Sequence, residues 1–266
     1  MTHDETAHIR RQLEESLARI RQLEEELVAG QRSRDDFLGA MSHEFYTPLN
    51  HIIGFSDLLL LDLADGLNDD QRRQLTAVRD AGRYLYAMAQ DILDLASLRS
   101  DTLRLSDDHV HPAEVVGAAV EQVTPIAREK GVTVSSTVSG GLPLLRTDSR
   151  RLRQTLVRLI GNAIKFTDVG GTVTIGASAG EDRVRFAVSD NGRGIPEGNL
   201  PGIFDEFRQL PQPDIAKSPG AGVGLTISRA VIERLGGRLH AESAMGVGST
   251  FWFELPVARE SDTTSW

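Results

Sequence analysis

The run Phe37-Leu38-Gly39-Ala40-Met41-Ser42-His43-Glu44-Phe45-Tyr46-Thr47-Pro48-Leu49-Asn50 decides how the first half of the chain is read. Phe37, Met41 and Phe45 recur every four residues, and Leu49 and Ile52 continue the series, the spacing of one apolar face of an α-helix. At roughly 100° per residue, His43 lies roughly 200° from both Met41 and Phe45 and is expected to point away from the packed face. An imidazole in solvent has no packing reason to be there. Pro48 lacks an N–H, and its ring crowds the carbonyl of Glu44 one turn earlier, so a kink is expected beside His43. Glu44 places a carboxylate next to the imidazole, where it can orient the ring and take its proton.

Downstream, Ala64-Asp65-Gly66-Leu67-Asn68-Asp69 supplies turn chemistry, and a second helix repeats Leu75, Val78, Leu85, Met88, Ile92 and Leu95. Residues 35–105 therefore read as an antiparallel helical hairpin. One hairpin leaves its own apolar stripes uncovered; two, in a symmetric homodimer, close a four-helix bundle. Upstream, Ile9, Leu13, Ile20, Leu23 and Leu27 fall on heptad positions, with Ser16 the weak link and Glu and Arg outside. The narrow stripe favours a parallel coiled coil over 1–34 against an amphipathic helix packed on its own chain.

Residues 108–259 change character. Helical stretches (111–130, 149–166, 223–235) alternate with strand-like runs at 132–138, 172–177, 184–189, 238–242 and 249–255. This is the pattern of an α/β sandwich, a mixed sheet with helices on one face. The polar run Asp101 to Val110 is expected to act as a hinge. The Pro- and Gly-rich stretch between Leu210 and Gly222 reads as either a mobile lid or an inert loop, and 260–266 as a flexible tail.

Within this second region, Arg158, Asn162 and Lys165 share one polar helix face. A neutral amide oxygen beside basic groups can hold Mg²⁺ against phosphates, since magnesium takes few protein ligands; the same spacing also fits a plain polar face. Ser189-Asp190-Asn191-Gly192-Arg193-Gly194-Ile195-Pro196 follows a strand, so Asp190 can accept a hydrogen bond from an exocyclic amine, and Gly192 and Gly194 allow close backbone approach to a flat base. In Gly220-Ala221-Gly222-Val223-Gly224-Leu225, glycines lead into a helix N-terminus, where exposed amides suit phosphates.

Ser42-His43-Glu44-Phe45-Tyr46-Thr47-Pro48-Leu49 resembles the phosphoacceptor box of the sensor histidine kinases, usually S-H-E-L-R-T-P-L. Arg153 to Thr167 is similar to the family's N box. The D-x-G-x-G turn at Asp190, Ile203-Phe204-Asp205-Glu206-Phe207, the G-x-G-x-G loop at Gly220 and the closing Gly246-Val247-Gly248-Ser249-Thr250-Phe251 follow in the family's order. The resemblance spans nearly everything from Asp35 to Val257. It implies the transmitter core of a two-component kinase: a dimerisation and phosphotransfer hairpin followed by a Bergerat-type ATP-binding domain. It further implies that His43 carries the phosphoryl group, that Glu44 is the base, and that Thr47 positions water when phosphate is removed from the partner. Asn162 would bind the metal, and Asp190 would read adenine. Lys165, Gly192, Gly194, Gly220, Gly222, Gly224, Leu225 and Thr250 would complete the nucleotide site. ATP, Mg²⁺ and the receiver domain of a response regulator are the implied cofactors and partner.

Two positions depart from the pattern: Tyr46 replaces the usual Arg, and Arg158 replaces the first Asn of the N box. Arg cannot coordinate a cation; it either neutralises phosphates or repels Mg²⁺. Besides an active autokinase, the residues therefore leave a degenerate relative acting as adaptor or phosphatase. A gyrase- or chaperone-like ATPase lacks the His43 hairpin.

Composition narrows the classes further. The formal charge of −9 disfavours nucleic acid and anionic lipid. The absence of cysteine removes disulfides and thiolate chemistry, and suits a reducing, cytoplasmic setting. No apolar run approaches the ~18 residues of a membrane span, and Met1-Thr2-His3-Asp4-Glu5 lacks a signal-peptide layout. His109-Val110-His111 beside Asp107 and Asp108 reads as solvated linker, with no third metal ligand in sight.

Overall fold

The computed structural model describes residues 44–61, 66–99, 105–206, 208 and 222–258, and the chain divides into two compact units between Leu103 and Arg104. His43, Gly220, the expected coiled coil, the Pro- and Gly-rich stretch and the C-terminal tail lie outside the described residues. Among the described residues, no helix is long and apolar enough to cross a membrane.

The first unit contains helix α1 (44–61) and helix α2 (Asp69–Arg99). Helix α1 is continuous through Pro48; His43, beside which the kink is expected, lies outside the described residues. Asn68 starts α2 with a reciprocal cap: its side chain accepts from the Gln71 N–H at 2.8 Å, while Gln71 Oε1 accepts from the Asn68 N–H at 3.0 Å. Two otherwise orphaned donors are satisfied, and Asp69 and Asp70 complement the helix dipole. The helices run antiparallel. Tyr46 packs on Tyr86 with ring centroids 4.8 Å apart, Asp57 accepts from Arg83 at 3.2 and 3.3 Å, and Gly82 is buried against Ile52 and Ile53. Tyr46, the departure next to the acceptor site, is thus engaged in helix packing.

One apolar stripe remains outside this hairpin. Phe45, Ile52, Phe55 and Leu59 on α1 are exposed, as are Val78, Leu85 and Ile92 at seven-residue intervals on α2, each about half accessible. That heptad spacing is the seam by which helices pair with other helices.

The second unit opens on strand β1 (Asp108–Val110), which pairs antiparallel with β3 (Leu145–Thr147). Helix α3 (Pro112–Lys130), strand β2 (Thr133–Val138), helix α4 (Ser149–Phe166), and strands β4 (Thr172–Ala179) and β5 (Arg183–Asp190) follow. A 3-10 turn (Glu197–Gly202), helix α5 (Gly224–Arg234), and strands β6 (Leu239–Ala244) and β7 (Gly248–Pro256) complete it.

The main sheet has the order β2-β4-β5-β7-β6, with only β2 and β4 parallel. Strict alternation separates its faces. Val173, Ile175, Ala177, Phe186, Val188, Phe251, Phe253 and Leu255 are buried, and Phe186 stacks on Phe253 at 5.2 Å. Helix α3 lies over β2 and β4, α4 over β4 and β5, and α5 against β6. The opposite face carries Arg185, Trp252 and His240, in which the arginine and the imidazole each stack on the indole at 4.0 and 4.1 Å. The expected sandwich is therefore present.

The hinge expected over Asp101 to Val110 does not include residues 105–110; 101–104 lie outside the described residues. Residues 105–110 are fastened: Ser106 N–H donates to Asp148 Oδ2 at 3.1 Å, Arg146 pairs with Asp107, and Val110 is buried in β1. The same strand contains His109, so the His109-Val110-His111 run is not a solvated linker, though both histidines are exposed. A buried apolar residue between polar neighbours gave too short a signal to be read as a strand.

Candidate nucleotide site

Helix α4 is the platform. Asp148 caps its start, Oδ1 accepting from Arg151 N–H at 2.8 Å while Oδ2 holds Ser106. Burial alone would raise this carboxyl; the backbone donors of Arg151 and Ser106, aided by Arg150, outweigh it and hold the group below the usual range. Leu152, Leu156, Leu159, Ile160, Ala163 and Ile164 bury one face. Arg158, Asn162 and Lys165 share the other and are half-buried, as the sequence pattern expects.

The end of α4 is tied down by a residue the sequence reading missed. Lys130, the last residue of α3, donates to the carbonyls of Ile164 at 2.7 Å and Lys165 at 2.5 Å. Both carbonyls lie in the last turn, where a helix lacks i+4 donors; that of Ile164 also accepts from the Thr167 N–H at 3.4 Å, and a cation there meets the negative end of the dipole. Arg193 stacks on the Phe166 ring at 4.6 Å and donates its N–H to the Phe166 carbonyl at 3.3 Å; Lys165 lies 5.2 Å from the same ring. Three cations thus gather at one helix end. Burial, then Arg193 and Lys130, pushes the Lys165 ammonium below its ordinary range; burial does the same to Lys130, opposed by Asp168 and reinforced by Arg193. A site with surplus positive charge suits a polyanion.

Asp190 ends β5. Its Oδ1 accepts from Gly192 N–H at 2.9 Å and from Ser249 N–H at 3.3 Å. Oδ2 has no hydrogen bond among the described residues, so it is available to an incoming N–H donor. Burial raises the carboxyl above the usual range, and the two backbone donors oppose that shift.

The glycines expected to admit a flat base are required by the protein's own backbone. A Cβ at Gly192 would overlap the Phe166 carbonyl. Gly194 has φ +71° and would overlap the Ala244 carbonyl. Gly248 has φ +129° and abuts the Asp190 carbonyl.

The start of α5 has no side-chain cap, with Gly222 at φ +72° before it and Gly224 and Leu225 in its first turn. It is anchored by Thr226 Oγ1, which donates to the Phe204 carbonyl at 2.8 Å, while Arg229 stacks on the Phe204 ring at 5.6 Å. The Ile203–Glu206 segment and helix α5 thereby meet.

Thr250 does not join this group. Successive β7 residues face opposite sides of the sheet; the Thr250 hydroxyl bonds Ser189 at 2.9 Å on the open face, while Ser249 faces Asp190. Within the closing motif it is Ser249, not Thr250, that lies on the Asp190 side of the sheet. Period two along β7, with Phe251, Phe253 and Leu255 buried, would have assigned Ser249 to the core face.

Among the described residues no cluster of three His, Asp or Glu side chains forms a cation cage. Asn162 therefore fits Mg²⁺ only where nucleotide phosphates supply most of the ligands.

Comparison with known proteins agrees with this geometry. Residues 33–101 match the His Kinase A (phospho-acceptor) domain, and 147–259 match the histidine kinase-, DNA gyrase B- and HSP90-like ATPase domain. The chain is 35% identical over 263 residues to the sensor histidine kinase AruS of Pseudomonas aeruginosa, covering 95% of this chain and 26% of that protein. It is 35% identical over 231 residues to the autoinducer 2 sensor kinase/phosphatase LuxQ of Vibrio cholerae, covering 85% and 26%. Among solved structures, full-length ShkA in complex with AMPPNP superposes with a TM-score of 0.66 at 37% identity, covering 84% of this chain and 46% of that one. The chain belongs to the histidine kinases, as a transmitter core. It spans less than half the length of the curated relatives it matches.

Two glycine substitutions separate strain from overlap. Gly246, at φ +75°, has open space around its Cβ position, whereas Gly194 faces the Ala244 carbonyl. Gly246→Ala should cost only the left-handed penalty of about 1–2 kcal/mol. Gly194→Ala should cost clearly more, as read from denaturant midpoints of the two variants; equal losses would contradict the packing described.

Proposed function

We propose that this chain binds Mg-ATP in its second unit, transfers the γ-phosphoryl group to His43, and passes it to an aspartate on the receiver domain of a response regulator. The observation that carries the reading is the Asp190 carboxylate, with one oxygen held by two backbone N–H groups and the other open. An adenine amine is the donor such an acceptor suits. Lys165 and the start of α5, with Gly220, Gly222, Gly224 and Leu225, would receive the phosphates, and Gly192 and Gly194 keep the base-reading loop in shape. Mg²⁺, held through Asn162, would neutralise phosphate charge.

In the transfer step a neutral imidazole nitrogen of His43 bonds to the γ-phosphorus as the bond to the ADP oxygen breaks. Glu44, exposed on α1, takes the imidazole proton. The phosphoramidate then yields its phosphoryl group to the receiver aspartate, restoring His43. Thr47, one turn along and likewise exposed, would position water for the reverse signal, removal of phosphate from the partner. Residues 35–105 and 108–259 form the two working domains of a cytoplasmic protein in this reading, preceded by a coiled-coil signalling helix.

Incubation with γ-labelled ATP should place label on wild type that is stable in alkali and lost in acid, with none on His43→Gln. Glu44→Gln should slow labelling by about a hundredfold or more while leaving ATP affinity nearly intact, because a base acts on the transition state. Undiminished label in His43→Gln, or acid-stable label, would overturn the assignment. Absence of label with ATP still bound would leave the adaptor reading.

The exposed heptad stripe on α1 and α2 supports a homodimer through a four-helix bundle. Sedimentation at micromolar concentration should give twice the chain mass. Ile52→Asp together with Leu85→Asp should give the monomer; dimers undisturbed by that pair would place the interface elsewhere.

A further inference from the structure

The β6–β7 turn is closed onto the Asp190 loop along its whole length. Gly246 N–H donates to the Arg193 carbonyl at 2.7 Å, Ser249 N–H reaches Asp190 Oδ1, and Gly194 and Gly248 are pressed against Ala244 and Asp190. At the centre is the Ser243 hydroxyl. It lies 2.8 Å from the Ile195 nitrogen, 2.8 Å from the Gly248 carbonyl and 2.9 Å from the Ser249 hydroxyl.

Donor bookkeeping fixes the direction of each bond. Ile195 N–H can only donate and the Gly248 carbonyl can only accept, so the single Ser243 proton goes to Gly248. The two lone pairs of Ser243 then receive Ile195 N–H and Ser249 O–H. The oxygen is saturated, and an apolar side chain in its place would take away the acceptor of the Ile195 N–H and a donor to the Gly248 carbonyl. It joins β6, the far end of the D-x-G-x-G loop and Ser249, whose own N–H orients Asp190.

We infer that Ser243 is a positioning residue for base recognition, clamping the β6–β7 turn to the Asp190 loop so that Oδ2 stays turned to the nucleotide base. The inference rests on the reading of Asp190 as the group that accepts the adenine amine. Ser243 is half-buried on the core-facing phase of β6, after Leu239 and Ala241, where the pattern would otherwise place an apolar residue.

The test is calorimetric titration of the full chain with ADP and with IDP, whose base carries a carbonyl in place of the amine. Asp190→Asn should narrow the ADP-over-IDP preference. Ser243→Ala should narrow it too, lowering ADP affinity by about tenfold while IDP changes much less. It should add nothing further in the Asp190→Asn background. Ser243→Thr, which keeps the hydroxyl, should hold the preference. If Asp190→Asn narrows the preference and Ser243→Ala does not, the inference alone is overturned. Equal loss of ADP and IDP in Ser243→Ala would also overturn it, marking a purely structural role. A preference unmoved by Asp190→Asn would overturn the Asp190 reading, and the inference with it.

Discussion

The arrangement of the second unit depends on a carboxylate that is half committed. Asp190 Oδ1 is bound by the N–H groups of Gly192 and Ser249, one from its own loop and one from the neighbouring strand. Those two bonds stop the side chain from rotating, and rotation is what would let an acceptor satisfy the wrong partner. Burial opposes ionisation, and the two donors favour it. The balance leaves a carboxylate that gains from one more donor.

Around it, backbone meets backbone so closely that side chains are excluded. Gly192 sits on the end of α4, Gly194 on the end of β6, and Gly248 on Asp190 itself. The same contacts bring Phe166 and Lys165 beside the loop, and Lys130 fixes the helix end that carries them. Gathering Lys130, Lys165 and Arg193 there is unfavourable for the protein alone: burial, then the Arg193 charge, depresses both lysines, and Lys130 adds to the effect on Lys165. A phosphate chain would supply negative charge to such a cluster. The Asp190 carboxylate and the cation cluster thus depend on one small set of packed termini.

Much of this was legible in the sequence because its signals were periodic. The α4 stripe, the alternating strands β4, β5 and β7 and the heptads of α2 follow from spacing alone. The order of the glycine-rich motifs pointed to the ATPase domain that residues 147–259 match. The misses have physical causes. Strand β1 is three residues long with one buried side chain, too short for any period. Lys130 acts through carbonyls of a helix distant in sequence. Ser243 and Ser249 meet through a turn that folds β6 back on β7, and a motif string does not say that Ser249 rather than Thr250 faces Asp190. Tyr46, conspicuous as a departure from the family, proved to be a packing residue against Tyr86.

The central claim is that Asp190 waits for a donor on the base, and the carboxyl group can report this itself. A carboxyl-carbon NMR titration of Asp190 in the full chain should show a midpoint above the ordinary 3.8 in the free protein. That midpoint should fall when ADP is bound, because a ligand that prefers the ionised form must lower the pKa by linkage. A midpoint that ADP leaves unmoved would mean that Asp190 does not take part in binding the base.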